Sequence, residues 1–324
     1  MTMKVAFRVD GNKQLGLGHV KRCMIIAENL REKNIPCIFI TRFKSIKEIL
    51  QSENFETVLI SPKNESEKIK KILKTHQCTT LVIDSKRRSI GKLLKSIHKQ
   101  TKIVLIDNTN FIQFVDLIVI PSAKNPKKQY PPNSLVGIEY ILHGIGEIPK
   151  SFIRKNDSIL LTMGGSDKFN ITEKIVKSFS KSKKDFRLIL ILGKYYNSEK
   201  NILKIIDGDK RFHIIKNPPS LVELMKKSKI CISTFGITAY ESAICQLPLL
   251  VISHNHENHL SSKLLEKYGW FSYLGKFDQI KYEHLPNLVL DLLYNKTKLK
   301  QMRQACSQID GFGPSRLADQ IINL

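Results

Sequence analysis

This 324-residue chain is short of acid: 29 aspartates and glutamates stand against 53 lysines and arginines, a formal charge of +24. Only 11 of the basic residues are arginine, the other 42 being lysine. The lysines come in small scattered runs, such as KKIL, KSKK and MKKSK, on the polar faces of expected helices. That is the pattern of a solvated surface; a weak attraction to an anionic membrane or a phosphorylated substrate is the alternative. No RNP-like, helix-turn-helix or zinc-finger pattern accompanies the charge, so nucleic acid is not an expected partner. Paired cysteines are missing as well. Cys23, Cys37, Cys78, Cys231, Cys245 and Cys306 include no CxxC and lie mostly in apolar stretches, which reads as reduced core thiols. No apolar run approaches the roughly 20 residues that span a bilayer. The opening MTMKVAFRVD carries charge and no cleavage pattern, so no signal peptide is read there. A soluble or at most peripheral cytoplasmic protein is expected. Hydrophobic and charged contents of 42% and 25% exclude wholesale disorder.

Short apolar runs alternate with amphipathic ones throughout. Strands are expected at KVAFRV, PCIFIT, TVLI, TLVID, KIVLID and LIVI, then at SILLTM, FRLILIL, FHIIK, ICIS and PLLVIS. Helical patterns lie between them, among them 19–33, 64–76, 89–99, 169–181, 219–228, 237–246 and 257–268. Near-continuous apolar strands alternating with helices predict α/β architecture with parallel sheets covered on both faces. Two units of similar size are expected, residues 1–148 and 149–324, joined by the Pro-, Gly- and Lys-rich stretch 121–150. Ligands of such sheets bind beyond the carboxyl ends of the strands, so a cleft shared by two units is the expected site.

A third glycine is absent where a dinucleotide fingerprint needs one. After the first strand comes DGNKQLGLGHVKR, in which Gly16 and Gly18 are followed by Lys21, so no nicotinamide or flavin cofactor is expected. What remains is a small-residue loop and a helix N-terminus beginning near His19. Amides and dipole there favour an anion and disfavour a protonated imidazole. His19 is therefore a candidate general base, with Asp10 or Arg8 near enough along the chain to orient it or the substrate. The bland alternative is that His19 simply starts the helix.

In LLTMGGSDKFN a strand runs into Gly164, Gly165 and Ser166, then Asp167, which suits phosphate or ribose approach or a helix cap. In CISTFGITAYES, Thr234, Gly236 and Thr238 lead into a helix carrying Glu241, an acid placed to accept ribose hydroxyls or to complement the dipole. The strand PLLVIS then delivers HNHENH. Its histidines lack HExxH spacing and no distant Cys/His set completes them, so polar sugar or phosphate contacts are expected in preference to a metal.

These blocks, with LVELMKKSKICIS, ITAYESAICQLPLLVI and the closing DGFGPSRLADQII, resemble the UDP-sugar hydrolases of pseudaminic acid biosynthesis and the related spore-coat polysaccharide proteins. The FR-x-D…G-x-GH-x-x-R string is the most specific. The Gly236–Glu241 block is also similar to the nucleotide-binding segment of the peptidoglycan GlcNAc transferase. The resemblance implies the two-domain GT-B architecture, two Rossmann-like domains facing each other across a cleft, UDP on the C-terminal one. A C-terminal helix packing back on the first domain is expected as well. The resemblance also implies that His19 activates water or an acceptor, that Gly16 and Gly18 lie beneath the sugar, that Gly164, Gly165 and Ser166 lie near the nucleotide, and that Glu241 binds ribose. Two departures fall on the sugar side. Where the hydrolases carry Asp-His-Tyr, this chain has Asp84, Ser85 and Lys86; where they carry Asn-Gln, it has Glu257 and Asn258. Lys86 there suits an acidic sugar or an acceptor phosphate. The resulting expectation is a UDP-sugar hydrolase, alternatively a GT-B glycosyltransferase. Neither needs a cofactor or metal.

Overall fold

The computed structural model describes residues 3–12, 16–85, 87–122, 125, 127–145 and 157–324, the side chain of Arg88 excepted. Lys86 and the expected domain junction at 148/149 lie outside them. The chain divides into two compact units, Met1–Gly144 with Gly311–Leu324, and Ile145–Asp310.

The first unit is one parallel sheet. Its strands are β1 (Val5–Val9), β2 (Cys37–Thr41), β3 (Glu56–Leu59), β4 (Thr80–Asp84), β5 (Lys102–Ile106), β6 (Leu117–Ile120) and β7 (Ser134–Val136), in the order β3-β2-β1-β4-β5-β6-β7. Helices α1 (Gly18–Glu32), α2 (Lys44–Ser52), α3 (Glu65–Thr75) and α4 (Gly91–Ile97) connect them. Because side chains alternate along a strand, each strand feeds two cores. Val5, Phe7, Val9, Val82 and Val104 meet Val20, Cys23, Ile26 and Leu30 of α1. Ala6, Ile38, Ile40, Leu81 and Ile83 meet Ile69 and Leu73 of α3 and Leu93 and Leu94 of α4. Part of the stretch expected as a linker is sheet instead: β7 lies within it and pairs with β6.

The second unit repeats the plan. Strands β8 (Ser158–Thr162), β9 (Arg187–Leu192), β10 (Phe212–Lys216), β11 (Ile230–Thr234), β12 (Leu249–Ser253) and β13 (Phe271–Lys276) run in the order β10-β9-β8-β11-β12-β13. Helices α5 (Ile171–Ser180), α6 (Glu199–Ile206), α7 (Val222–Lys227), α8 (Ile237–Ile244), α9 (His256–Glu266), α10 (Leu285–Tyr294) and α11 (Lys296–Cys306) belong to it. The last helix, α12 (Gly313–Ile322), returns to the first unit. Its Leu317, Ala318 and Ile321 are fully buried in the core built on α1. Burying each of the two large side chains contributes about 2–3 kcal/mol.

In both sheets the strand order reverses beside the unit's first strand, between β1 and β4 and between β8 and β11. The loops leaving such a pair diverge to opposite faces, and the crevice between them is where ligands bind.

Candidate functional site

In the first unit the residues after β1 and β4 meet at the switch point, where Val9 is in register with Asp84. Gly16, at φ +74°, donates its N–H to the Asn12 carbonyl at 2.8 Å. The chain then enters α1, whose first turn carries no acid and no side-chain cap. Such an end leaves its first amides to water or an anionic ligand. Gly18 is exposed and a Cβ there would touch nothing within 4 Å.

His19 is 28% exposed, and its Nδ1 lies 2.6 Å from Asp84 Oδ1. A contact that short to a carboxylate requires a proton between the atoms, so Nδ1–H donates and Nε2 is the nitrogen left to exchange a proton with a ligand. Asp84 is 2% exposed. It also accepts two bonds from Arg22, at 2.9 Å from Nε to Oδ2 and 2.9 Å from Nη2 to Oδ1. Burial works against the Arg22 charge, but Asp84 and Asp107 outweigh it and hold the guanidinium above its ordinary value. The result is a base (His19), an acid that orients it (Asp84), and a cation that fixes the acid (Arg22).

Asp10 and Arg8, expected beside His19, do something else. Arg8 is 1% exposed and every guanidinium nitrogen is spent on protein. Nε donates to Glu65 at 2.8 Å, and Nη1 and Nη2 donate to the two Asp10 oxygens at 2.7 and 2.8 Å. Arg8 therefore has no donor left for substrate. Asp10 in turn accepts from the Arg42 N–H at 3.0 Å and Arg42 Nε at 2.8 Å, and from the Thr41 hydroxyl. Arg87 grips Glu65 with both terminal nitrogens, at 3.1 and 2.9 Å. Burial pushes the Asp10 and Glu65 carboxyls up, but their arginine partners outweigh it and hold both below their ordinary values.

In the second unit the loop after β8 presents Gly164 and Gly165 to solvent, Gly164 at φ +80°, with Ser166 half-buried. Asp167, three residues before the N-cap position Asn170, satisfies the start of α5: its two oxygens accept from the Ile171 and Thr172 amides at 2.9 and 2.8 Å. Gly193, after β9, packs directly on this loop. A Cβ there would lie 2.4 Å from the Gly164 carbonyl oxygen and 2.6 Å from Gly165 Cα. Thr234 at the end of β11, Gly236, and Thr238 in the first turn of α8 are half-exposed; α8 begins with no side-chain cap and no acid in its first turn, and half-buried Glu241 lies on it. Asn258 of α9 donates from Nδ2 to the Phe235 carbonyl at 3.1 Å, which ties α9 to the same loop. Its neighbour Glu257 is exposed in the first turn of α9.

Three buried polar atoms around these strand ends have no hydrogen-bond partner among the described residues: Ser233 Oγ, His254 Nδ1 and Asn258 Oδ1. Unsatisfied buried groups are uncommon and fit a ligand or water site. Burial, only partly offset by Asp167, pushes the His254 imidazole below its ordinary value. His259 Nδ1 lies 2.6 Å from the Tyr273 hydroxyl.

In the site expected from sequence, Asp84 figures only within a sugar-side departure and Arg22 only as the last residue of the motif string; neither is paired with His19, and Arg42, Glu65 and Arg87 are missing. The usable signals were an acid ending an apolar strand, and an arginine three residues past His19 on one helix face.

No protein-family model matches the chain. It is 25% identical over 282 residues to the spore coat polysaccharide biosynthesis protein SpsG of Bacillus subtilis, covering 82% of both. It is also 25% identical over 289 residues to an uncharacterized protein of Methanocaldococcus jannaschii; that match takes in 82% of this chain but 58% of the archaeal protein. Among solved structures, MurG of Acinetobacter baumannii superposes with a TM-score of 0.74 at 11% identity, covering 99% of this chain and 100% of MurG. A UDP co-structure of S. aureus MnaA gives 0.69 at 13% identity, covering 98% and 96%. The two parallel-sheet α/β domains are those of the GT-B glycosyltransferase structures.

Proposed function

We propose that this chain is a nucleotide-sugar-dependent enzyme of polysaccharide biosynthesis that transfers a sugar from UDP to a hydroxyl acceptor. The observation that carries this reading is the His19–Asp84 contact of 2.6 Å, held by Arg22, beside an uncapped helix end. In the reaction, His19 Nε2 takes the proton of the acceptor hydroxyl while the oxygen attacks the anomeric carbon. The bond from that carbon to the UDP β-phosphate oxygen breaks, and UDP leaves as the anion. Asp84 stabilises the imidazolium that forms and is not itself protonated.

The second unit is the nucleotide binder. Gly164, Gly165 and Ser166, with Thr234, Gly236 and Thr238 at the start of α8, offer amides and hydroxyls to the diphosphate, and Glu241 accepts from the ribose hydroxyls. Asn258 and Glu257 lie on the sugar side. The UDP bound to a protein of the same fold supports the choice of nucleotide, and the spore-coat relative supports the setting. Proteins of this fold that move sugars favour transfer over the hydrolysis that the motif resemblance implies.

The test is release of UDP from a panel of UDP-linked acetamido sugars, with and without lipid-linked or glycan acceptors. Turnover that requires an acceptor and is lost in His19→Ala is the expected result. Equal release without any acceptor would make water the acceptor and overturn transfer. Turnover unchanged in His19→Ala would remove the base.

A further inference from the structure

The network that absorbs Arg8 and Asp10 contains one arginine more than its acids need. Asp10 receives a two-pronged bond from Arg8, and Glu65 receives one from Arg87, so two acids are already matched by two guanidiniums. Arg42 is the third. It reaches Asp10 only through its backbone N–H and Nε. Among the described residues nothing accepts from its Nη1 or Nη2. The cluster therefore carries one uncompensated positive charge, on a side chain that is 21% exposed while Arg8 is 1% exposed.

Arg42 is also held still. Its Nε bond to a buried carboxylate fixes one edge, and its guanidinium carbon lies 5.7 Å from the Phe43 ring centroid. A planar guanidinium with one edge anchored and its terminal nitrogens unspent is a fork for two oxygens of one oxyanion. A network that served only to hold the sheet would have no use for an extra buried-edge charge, because an unmatched ion there costs desolvation.

The cluster stands at the carboxyl edge of the first sheet. Asp10 follows β1, Arg42 follows β2, Arg87 follows β4, and Glu65 opens α3. His19 and Asp84 belong to the same edge, at the switch point between β1 and β4. We propose that Arg42, backed by Arg87, binds a carboxylate or phosphate group carried by the sugar or acceptor on which His19 acts. This rests on the reading of His19 as the base, and it narrows the substrate to one bearing an oxyanion on the side of the first unit. Arg42 is a specificity residue in this scheme, and Arg8 and Asp10 are its scaffold.

The test uses the full chain and binding, so that it does not depend on turnover. Glucuronate, glucose 1-phosphate and glucose are titrated by ligand-observed NMR against the wild type, Arg42→Gln, Arg42→Lys and Glu241→Ala, with UDP titrated in parallel. At least one charged sugar is expected to bind, and glucose to bind far more weakly. Arg42→Gln should weaken the charged sugar about tenfold or more, and Arg42→Lys should recover part of the loss. Glu241→Ala should leave the charged sugar unaffected. Preference between glucuronate and glucose 1-phosphate identifies the group. Thermal melting close to the wild type is expected for Arg42→Gln, because Arg8 still holds Asp10. No binding of either charged sugar, equal binding of glucose, or undiminished binding in Arg42→Gln would overturn the proposal. Failure of UDP alone to bind would instead overturn the nucleotide-sugar reading, and the sugar titrations would still judge Arg42.

Discussion

Replacing Asp84 by asparagine keeps the shape of the side chain and removes the charge that two partners share. In the wild type this 2%-exposed carboxylate accepts from His19 at 2.6 Å and from Arg22 twice at 2.9 Å. The gross attraction of a charge pair at that separation is about 6 kcal/mol at an effective dielectric of 20, much of it offset by desolvation. Breaking one side of a buried pair costs about 3–5 kcal/mol, because the remaining ion stays in place without its partner. Asp107, 3.8 Å from Arg22, compensates only part of the loss. For a domain of this size that corresponds to a fall in Tm of about 6–20 °C. The catalytic loss follows from the same bond. An asparagine can present an N–H to Nδ1 and stabilise the wrong ring tautomer, which in related acid–histidine arrangements costs up to about 10⁴ in rate. Steady-state kinetics at a temperature where the variant is folded should show kcat reduced about 10²–10⁴-fold with KM for the UDP-sugar little changed. Adding His19→Ala to Asp84→Asn should cost almost nothing further, because residues that act as a unit are not additive. A double variant whose loss equals the product of the two single losses would refute the idea that Asp84 acts through His19. So would an Asp84→Asn enzyme with wild-type kcat.

Three further outcomes are expected. Glu241→Ala should weaken UDP about tenfold or more in calorimetric titration, as loss of charged hydrogen bonds to the ribose requires. Gly193→Ala drives a Cβ to within 2.4 Å of the Gly164 carbonyl oxygen, so it should displace the glycine loop, cost about 1–3 kcal/mol in urea unfolding and weaken UDP as well. Stability should also fall in acid. Asp10 and Glu65 have folded values below their unfolded values of about 3.8 and 4.5, so their contribution is full above that range and is lost as pH falls through the lower folded values. Urea midpoints measured from pH 6 to pH 3 should drop, and the drop should be shallower in the Asp10→Asn/Glu65→Gln double variant.

The strands were legible because buried parallel strands are nearly continuous apolar runs, and all eleven expected runs correspond to strands. Two of the four edge strands, β7 and β13, were not read from the sequence. β7 is three half-buried residues inside a Pro- and Gly-rich stretch, and its strand character comes from pairing with β6 and not from its own composition. Helix ends agreed to within about three residues where a loop and a strand bracketed the pattern. Examples are α1 at Gly18–Glu32 against 19–33 and α8 at Ile237–Ile244 against 237–246.

The site was legible by residue type and less so by partner. Proximity in sequence pointed from His19 to Asp10 and Arg8, nine and eleven residues away, whereas its partner Asp84 is 65 residues away. Strand alternation explains the difference. On β1, Phe7 and Val9 face α1, so Arg8 and Asp10 face the other way, where Arg8 binds both Asp10 and Glu65 at the start of α3. On β4, Val82 faces α1 while Leu81 and Ile83 face α3 and α4. Asp84 is two residues beyond Val82 and therefore shares its face, the face on which α1 carries His19 and Arg22. The same period of two sends one acid to a structural arginine and the other to the base. Shifting Asp84 by one position along β4 would turn it toward α3, away from His19, with the composition of the chain unchanged.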